Sequence, residues 1–304
     1  MNLSNIEGAS ENFSQYLIEN IKAPCLQQEA FVRFNNTIVI IAMTKDTKDT
    51  PDEQLTPNLD FDQIAKNPES ITEESSPSVL SISTMNESLL QAAKLTVPQN
   101  LFSTFWFEGE LCILFSDTNL GKSILAVQIG DSITSGKRIF NIPDRPRPQK
   151  VGYLDIELFG KQFEARYIDG LGDHYKFSDN FHRLEINPET IDEHDSLENQ
   201  VLSDIESISK KNGIKVFIID NITALITDFE KSKNAIRLMK TLNILKRREG
   251  MSFLVLAHTP KVDNTKPITQ NHLAGSKALI NLVDSAFAIG ISITNEKTRY
   301  LKQI

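Results

Sequence analysis

Residues 110–130 read ELCILFSDTNLGKSILAVQIG and join three kinds of sequence. The run Leu111–Phe115 is short and apolar, which predicts a buried strand. From Leu125 onward, apolar residues recur every three or four positions until Gly136, which predicts a helix that ends on a glycine cap. A polar loop, residues 116–123, lies between the two. The segment therefore predicts a strand, a tight turn and a helix.

The loop ends in Gly-Lys-Ser, a pattern that phosphate chemistry explains. Backbone N–H groups at a helix N-terminus cradle a β-phosphate, a lysine reaches the β and γ oxygens, and a hydroxyl group ligates Mg²⁺. The first loop position, usually glycine, is Ser116, so this loop has to turn with a Cβ present. A chance Gly-Lys-Ser at a helix start is the alternative. We predict that ATP and Mg²⁺ bind at Ser116, Asp117, Thr118, Asn119, Leu120, Gly121, Lys122 and Ser123.

Beyond Leu101, short apolar runs alternate with stretches of helical periodicity. This alternation predicts an α/β fold with a mostly parallel, doubly wound sheet that is covered by helices. Two further helices are predicted to end at Gly213 and Gly250, where left-handed caps belong. The predicted strands are Leu111–Phe115, Val151–Ile156, Val216–Ile219, Phe253–Ala257, Ser285–Ile291 and Tyr300–Ile304.

The N-terminal third differs from the rest in charge. Residues 1–100 hold 14 acidic and 6 basic side chains, which leaves 26 of each in residues 101–304, so the net charge of −8 belongs to the first hundred residues. Residues 44–100 are rich in Asp, Glu, Ser, Thr and Pro and hold few aromatic residues. Such a composition cannot offset its ordering entropy, and we predict a largely disordered, acidic linker there.

Residues 1–43 precede the linker and offer few apolar positions. A weak helix is expected at Phe13–Ile21, and one or two short strands are expected within Phe31–Met43, turning at Asn35-Asn36. We therefore predict a small N-terminal segment, a flexible linker, and one ATPase domain at 101–304.

The sequence gives no sign of export or of a membrane. It contains no run of about 18 apolar residues and no basic then apolar start. Cys25 and Cys112 could form at most one disulfide, and Cys112 lies in an apolar run that is typical of a buried thiol. We expect a cytoplasmic protein without a membrane partner, and no spacing of residues indicates an all-protein metal cage.

Three carboxylates stand at the ends of predicted strands. Asp220 ends the run KVFIIDN, where a carboxylate would order the water shell of Mg²⁺. Asp155 and Glu157 end the run VGYLDIEL, where one of them could polarise an attacking water. We choose Glu157, because it lies beyond the apolar run and would reach the ligand crevice. An ordinary strand-end aspartate and a surface acidic pair are the alternatives.

A histidine ends the strand in MSFLVLAHTPK. His258 and Thr259 occupy the position from which a polar side chain could sense a γ-phosphate. A histidine that serves only as a structural hydrogen-bonding group is the alternative.

The chain from about Phe105 onward resembles the RecA/DnaB-type ATPase superfamily, because four motif positions follow one another in the same order. They are the loop at 116–123, Glu157, Asp220 and His258. In particular it resembles the RepA-like plasmid helicase and primase-helicase ATPases of bacterial mobile elements. FSDTNLGKSILA is similar to the P-loop, YLDIE to the strand that ends in the water-activating glutamate, IIDNITAL to Walker B, and VLAHTPK to the phosphate-sensor strand. ELFGKQFEAR is similar to the segment in which a helix bears an arginine, here Arg166.

The resemblance implies a RecA-like P-loop fold that hydrolyses ATP with Mg²⁺ and acts on single-stranded DNA as a helicase or replication ATPase. It also implies a ring, of hexameric type, with sites between subunits, and primase or other mobile-element proteins as partners. The implied catalytic residues are Glu157, Lys122 and His258, the implied nucleotide contacts include Arg166, and the implied metal ligands are Ser123 and Asp220.

DNA contacts would have to be local, because the charge of residues 101–304 is balanced. HLAGSKALINLVDSAFAIG is similar to the stretch that follows a mobile DNA-contacting loop in the superfamily. Solvated surface side chains are the alternative to DNA contacts. The candidate contacts are Lys261, Lys266 and Lys277, with the cluster Lys246-Arg247-Arg248.

Relatives carry basic residues on the late strand after RYLKQI that reach a neighbouring subunit's ATP. Arg299 and Lys302 are the nearby substitutes before Ile304. Three explanations for the missing basic residues stay open, namely a truncated chain, a degraded copy and reliance on a partner chain.

Two other functions stay open. One is a nucleotide-gated DNA-binding or assembly protein with little catalysis of its own. A serine at the usual glycine position, Ser116, favours this function, whereas the intact Gly-Lys-Ser disfavours it. The other is a small-molecule kinase, which would want an arginine-rich lid, whereas Arg138, Arg145 and Arg147 lie on the connection to the second core strand. No Asn-Lys-x-Asp segment indicates a preference for GTP.

Overall fold

The computed structural model describes residues 29–34, 37–42, 79–139, 142, 145–168, 172–225, 231–259, 266–273, 277–295 and 297–304. The chain divides into two units, one formed by residues 1–44 with 98–304 and the other by residues 45–97.

The larger unit is built on a nine-stranded sheet with the order β1-β2-β11-β10-β5-β9-β8-β6-β7. Six neighbouring strands, from β10 to β7, are parallel, whereas β11 runs antiparallel to β10. A small hairpin, β3 with β4, forms a second sheet. The strands are β1 Glu29–Phe34, β2 Thr37–Ala42, β3 Asn100–Phe102, β4 Trp106–Phe107, β5 Leu111–Ser116, β6 Val151–Asp155, β7 Phe181–Leu184, β8 Val216–Asp220, β9 Ser252–His258, β10 Ser285–Ile291 and β11 Arg299–Gln303.

Helices cover both faces of this sheet. Both faces are apolar and have to be buried. In β5, Leu111, Ile113 and Phe115 pack into one apolar core, and the alternate residues Cys112 and Leu114 pack into the other. The first core is closed by α4, α5 and α6, and the second by α2 with the β3–β4 hairpin. The helices are α1 Met85–Ala92, α2 Lys122–Ser135, α3 Gly160–Arg166, α4 Leu197–Asn212, α5 Ile222–Leu225, α6 Lys231–Glu249 and α7 Lys277–Ile280.

The predicted α/β class and the mostly parallel, doubly wound sheet are confirmed. All six predicted core strands are present, and their ends agree with the expected ones to within one residue. Gly136, Gly213 and Gly250 each have a positive φ at the end of a helix, because a left-handed cap there frees the chain to turn toward the next strand. Within the described ranges, no helix combines the length and apolar composition that crossing a bilayer requires.

The N-terminal prediction is met in part. Two antiparallel strands, β1 and β2, flank the expected turn position, and β2 also pairs in parallel with β11. The hairpin therefore extends the main sheet. The helix expected at 13–21 and residues 44–78 of the expected linker lie outside the described residues, and the division into three segments stays a prediction.

The smaller unit contains a helix that the sequence analysis did not predict. α1 lies within the stretch expected to be disordered, and a capping box fixes its start. Thr84 accepts a hydrogen bond from the Glu87 backbone N–H, and the Glu87 carboxylate accepts one from the Thr84 N–H at 2.8 Å. This reciprocal pair lowers the pKa of Glu87, because the backbone N–H of Thr84 stabilises its charged form. The local cap supports a short helix in a polar stretch.

Candidate active site

The candidate site lies where four neighbouring strands end. β5, β9, β8 and β6 are adjacent in that order and parallel, so their carboxyl ends meet at one edge of the sheet. Ser116 stands in register with His258, and Asp155 stands in register with Asp220. The register brings the loop, the histidine and the acidic residues together.

The loop after β5 turns through two positions of positive φ, at Asn119 (62°) and Gly121 (93°). Nothing lies within 4 Å of a Cβ placed on Gly121, so the backbone conformation, and not space, calls for glycine there. Ser116, at the usual glycine position, is the last residue of β5 and is fully buried. Its hydroxyl group donates to the Asp117 carbonyl at 2.9 Å, so the serine fits without a left-handed backbone.

The Lys122 side chain folds back over this loop and is only 6% exposed. Its Nζ donates to the carbonyls of Ser116 and Asp117 at 3.2 and 3.3 Å and lies 3.1 Å from Nδ1 of His258. Burial lowers the pKa of Lys122, while the charges of Asp220 and Glu157 act in the opposite direction. The ammonium group therefore rests on weak carbonyl partners, close to where phosphate oxygens would lie.

Asp220 is held by two hydroxyl groups. The Tyr153 hydroxyl donates to its Oδ2, and the Ser123 hydroxyl also bonds its carboxylate. Burial raises the pKa of Asp220, and these two hydrogen bonds act against that rise. Burial likewise raises the pKa of Tyr153 well above its ordinary value, so the phenol stays protonated and donates. The loop serine and the β8 aspartate thus lie next to each other.

Asp155 and Glu157 have different environments. Asp155 is buried, and its Oδ2 accepts a hydrogen bond from Nε of Arg183 at 3.0 Å and lies 2.9 Å from Nη2 of the same guanidinium. Its Oδ1 accepts from the backbone N–H groups of Glu157 and Leu158 at 3.3 and 3.0 Å. Asp155 therefore shapes the turn that carries Glu157, whose own side chain is 46% exposed.

Glu157, Asn221 and His258 form a chain of polar contacts across the site. Asn221 donates from Nδ2 to Oε1 of Glu157, and the same Nδ2 lies 3.1 Å from Nε2 of His258. The direct distance between Nε2 of His258 and Oε1 of Glu157 is 3.9 Å. Burial, with help from the charge of Lys122, lowers the pKa of His258. Asn221 therefore connects the two residues expected to activate water and to sense phosphate.

Among the predicted site residues, the structure brings together Lys122, Ser123, Asp220, Glu157 and His258. Arg166 is exposed on the last turn of α3, where its guanidinium contacts Tyr167. Thr259 lies beside the loop, since its backbone N–H donates to the Ser116 carbonyl at 3.1 Å.

Two of the basic residues that were expected to contact DNA form ion pairs with acidic side chains. Lys246 is buried and paired with Asp284, and Arg248 pairs with Glu206 and Glu249. This cluster ends α6 just before β9 starts, at the edge of the sheet opposite the candidate site. Acidic neighbours hold the side chains of Lys246 and Arg248, and the contact of this cluster with DNA stays a prediction.

Of the other basic candidates, Lys266 is exposed, and the side chains of Lys261 and Lys277 lie outside the described residues. Near the end of the chain, Lys302 donates to the Ile268 carbonyl at 3.2 Å, and Arg299 donates to the Thr298 carbonyl at 3.4 Å. Both of these late basic residues are therefore engaged within the fold.

Sequence reasoning missed three residues of the site, namely Tyr153, Arg183 and Asn221. Asn221 follows Asp220 directly within IIDNITAL, so its position next to a candidate metal ligand is a sequence signal for it. Tyr153 and Arg183 carry no local signal, since their roles depend on which strands become neighbours.

The residues present suit Mg·ATP. The hydroxyl group of Ser123 lies next to the carboxylate of Asp220, and this pair matches the sparse oxygen ligation that Mg²⁺ prefers beside phosphates. Among the described residues, no group of three or more His, Cys, Asp or Glu side chains could form a closed metal cage. The α2 N-terminus offers free backbone N–H groups for a phosphate, with Lys122 beside them.

The chain is similar to one family of known domains and to a solved structure. The crystal structure of a KaiC-like protein, PH0186, from the hyperthermophilic archaeon Pyrococcus horikoshii OT3 is similar to this chain with a TM-score of 0.46 and 13% identity, covering 65% of this chain and 79% of that one. No curated protein sequence matches the chain. The sequence model of the AAA domain family AAA_25 matches residues 76–264, more than half of the chain. The chain therefore belongs to the AAA_25 family of AAA domains.

Proposed function

We propose that this chain binds Mg·ATP and hydrolyses it. The observation that carries the proposal is the placement of Ser123 next to Asp220, beside the buried ammonium group of Lys122. A phosphate-binding loop needs a cation, a metal-ligating hydroxyl group and a carboxylate within reach of one another, and these three side chains supply them.

Four side chains would carry out the reaction. Lys122 moves from the Ser116 and Asp117 carbonyls onto the phosphate oxygens, which are the stronger, charged acceptors. Ser123 and Asp220 hold Mg²⁺, which neutralises charge on the transferring phosphoryl group when it is bound. Glu157 is open to solvent at the edge of the site and orients the attacking water.

We further propose that hydrolysis is coupled to DNA handling in a ring of subunits, as in the RepA-like helicase and primase-helicase ATPases. The motifs quoted from the sequence support this proposal, and exposed Lys266 is a described basic candidate on the expected DNA-contacting stretch. Arg166, exposed on α3, is proposed to reach the nucleotide of a neighbouring subunit, and primase or other mobile-element proteins are the proposed partners.

One observation favours the alternative, a nucleotide-gated DNA-binding or assembly protein with little catalysis. Lys246 and Arg248 are held by acidic neighbours, which removes two of the basic side chains that a translocating ATPase would offer to DNA. The balanced charge of residues 101–304 points the same way.

Phosphate release by the purified protein, with and without single-stranded DNA, separates the two functions. Stimulation by DNA that is lost at high salt supports the helicase-type ATPase. Basal turnover that DNA leaves unchanged would reject the coupling, and no turnover beyond that of Lys122→Ala would reject hydrolysis itself. Lys161→Ala, which alters an exposed lysine on α3, is the control. Light scattering with and without nucleotide tests the ring.

A further inference from the structure

His258 lies between two hydrogen-bond donors. Its Nδ1 is 3.1 Å from the Lys122 ammonium group, and its Nε2 is 3.1 Å from the Asn221 amide nitrogen. A neutral imidazole carries one acceptor nitrogen and one N–H group, so it can accept from only one of these two neighbours at a time.

The orientation of the Asn221 amide is set by its other end. Its Oδ1 accepts from the backbone N–H of Ala224 at 3.2 Å and from the Thr223 hydroxyl group. A backbone N–H can only donate, so the oxygen has to lie on that side and the NH₂ group has to face Glu157 and His258. Asn221 is 2% exposed, which leaves its amide no room to exchange these partners for solvent.

Two arrangements of protons follow from this geometry. While Lys122 contacts His258, Nδ1 accepts from a charged donor, and the imidazole proton lies on Nε2, where it opposes the Asn221 NH₂ group. When Lys122 turns to a phosphate, Nδ1 can carry the proton and Nε2 can accept from Asn221. The proton transfers through solvent, which reaches His258 because its side chain is 33% exposed, and the net charge is unchanged.

The two arrangements differ in how firmly Glu157 is held. In the first, the Asn221 amide has one satisfied N–H, the one that bonds Glu157. In the second, both N–H groups are satisfied, so the amide plane is fixed between two acceptors and the Glu157 carboxylate is fixed with it. A carboxylate that orients water performs best when its own position is fixed.

We propose that Asn221 is a positioning residue that transmits the position of Lys122, through His258, to Glu157, so that the water-orienting carboxylate is fixed only when a phosphate occupies the loop. The inference rests on the proposed ATPase function and adds a coupling between phosphate binding and the catalytic carboxylate.

Long-range ¹H–¹⁵N spectra of the histidine rings test the first step. His258→Gln identifies the His258 signals among those of the five histidines. We expect the Nε2–H tautomer in the nucleotide-free protein and the Nδ1–H tautomer with the magnesium complex of an imido-bridged, non-hydrolysable ATP analogue. A wild-type protein that binds the analogue and keeps its tautomer overturns the inference.

Two variants test the second step. Asn221→Asp keeps the oxygen that caps α5 and removes the NH₂ donor, and Asn221→Ala removes both without adding charge. Both should lose the tautomer change and lower kcat about 10- to 100-fold, with analogue affinity kept within about threefold. Asn199→Asp on α4, the same substitution away from the site, should match the wild type.

The outcomes separate this inference from the proposed function. Wild-type protein that neither binds the analogue nor releases phosphate overturns both. Wild-type protein that hydrolyses ATP, with unchanged kcat in both Asn221 variants, overturns the relay alone.

Discussion

The hydroxyl group of Tyr153 on β6 donates a hydrogen bond to Oδ2 of Asp220 on the neighbouring strand β8. This contact fixes one oxygen of the carboxylate that is proposed to hold Mg²⁺. Outer partners of this kind orient metal ligands and commonly change metal affinity by about 10- to 100-fold when they are removed.

Tyr153→Phe should therefore raise the Mg²⁺ concentration needed for half-maximal nucleotide binding by about 10-fold. The aromatic ring is kept, so its edge-on packing against Phe181 should persist and the melting temperature should change little. Nucleotide binding titrated against Mg²⁺ measures the effect. Tyr175→Phe, which loses a hydroxyl group bonded to Asp131, is the control, and equal Mg²⁺ dependence in the two variants would contradict the assignment.

Glu157→Gln should bind Mg·ATP with near wild-type affinity and lower kcat by about 10² to 10⁴-fold, because the amide cannot accept a proton from the attacking water. Single-turnover phosphate release and equilibrium binding measure the two effects separately. Glu164→Gln, on exposed α3, is the matched control. Equal turnover in wild type and Glu157→Gln would remove the proposed role.

Arg183→Ala should lower the free energy of unfolding by about 3–5 kcal/mol, since Asp155 would keep a buried charge without its cation. The loss also removes the contact of the guanidinium with the Phe163 ring, at 4.3 Å. Urea denaturation measures it. Arg248→Ala, an exposed arginine with two carboxylate partners, should cost at most about 1 kcal/mol. Similar losses in both variants would contradict the structural role given to Asp155.

The lowered pKa of His258 predicts a pH dependence of stability. Because burial depresses its pKa below the ordinary value of 6.5, the unfolded chain binds the proton more tightly than the folded protein. The stability that this group contributes is therefore present above about pH 6.5 and is lost as the pH falls below it. His258→Gln should accordingly be less destabilising, relative to wild type, at pH 5.5 than at pH 7.5. Urea denaturation at both values checks the sign, and a difference that grows on acidification would contradict it.

The sequence predicts features that depend on local chemistry. The strand before Asp117, the helix after Gly121 and the glycine caps follow from apolar spacing and from backbone conformations that few residues adopt. Lys122 and Ser123 were identified because neighbouring residues in the chain form their motif. For these features, short-range sequence is sufficient.

The features that were missed depend on strand order. Tyr153 reaches Asp220 only because β6 lies beside β8, and Arg183 reaches Asp155 only because β7 lies on the other side of β6. The pairing of β2 with β11 joins residues that are more than 250 positions apart in the chain. Apolar spacing along a strand gives no information on which strand becomes its neighbour.

The β1–β2 hairpin has a practical consequence for work with shortened forms of the protein. β2 covers the outer hydrogen-bonding edge of β11, which lies two strands away from β5. Removing residues 29–42 while keeping the rest of the sheet would leave β11 as an open edge, and uncovered edges recruit strands from other molecules. Fragments that begin near residue 100 are therefore prone to aggregate. Their precipitation would result from the missing strand and not from a defect in the catalytic centre.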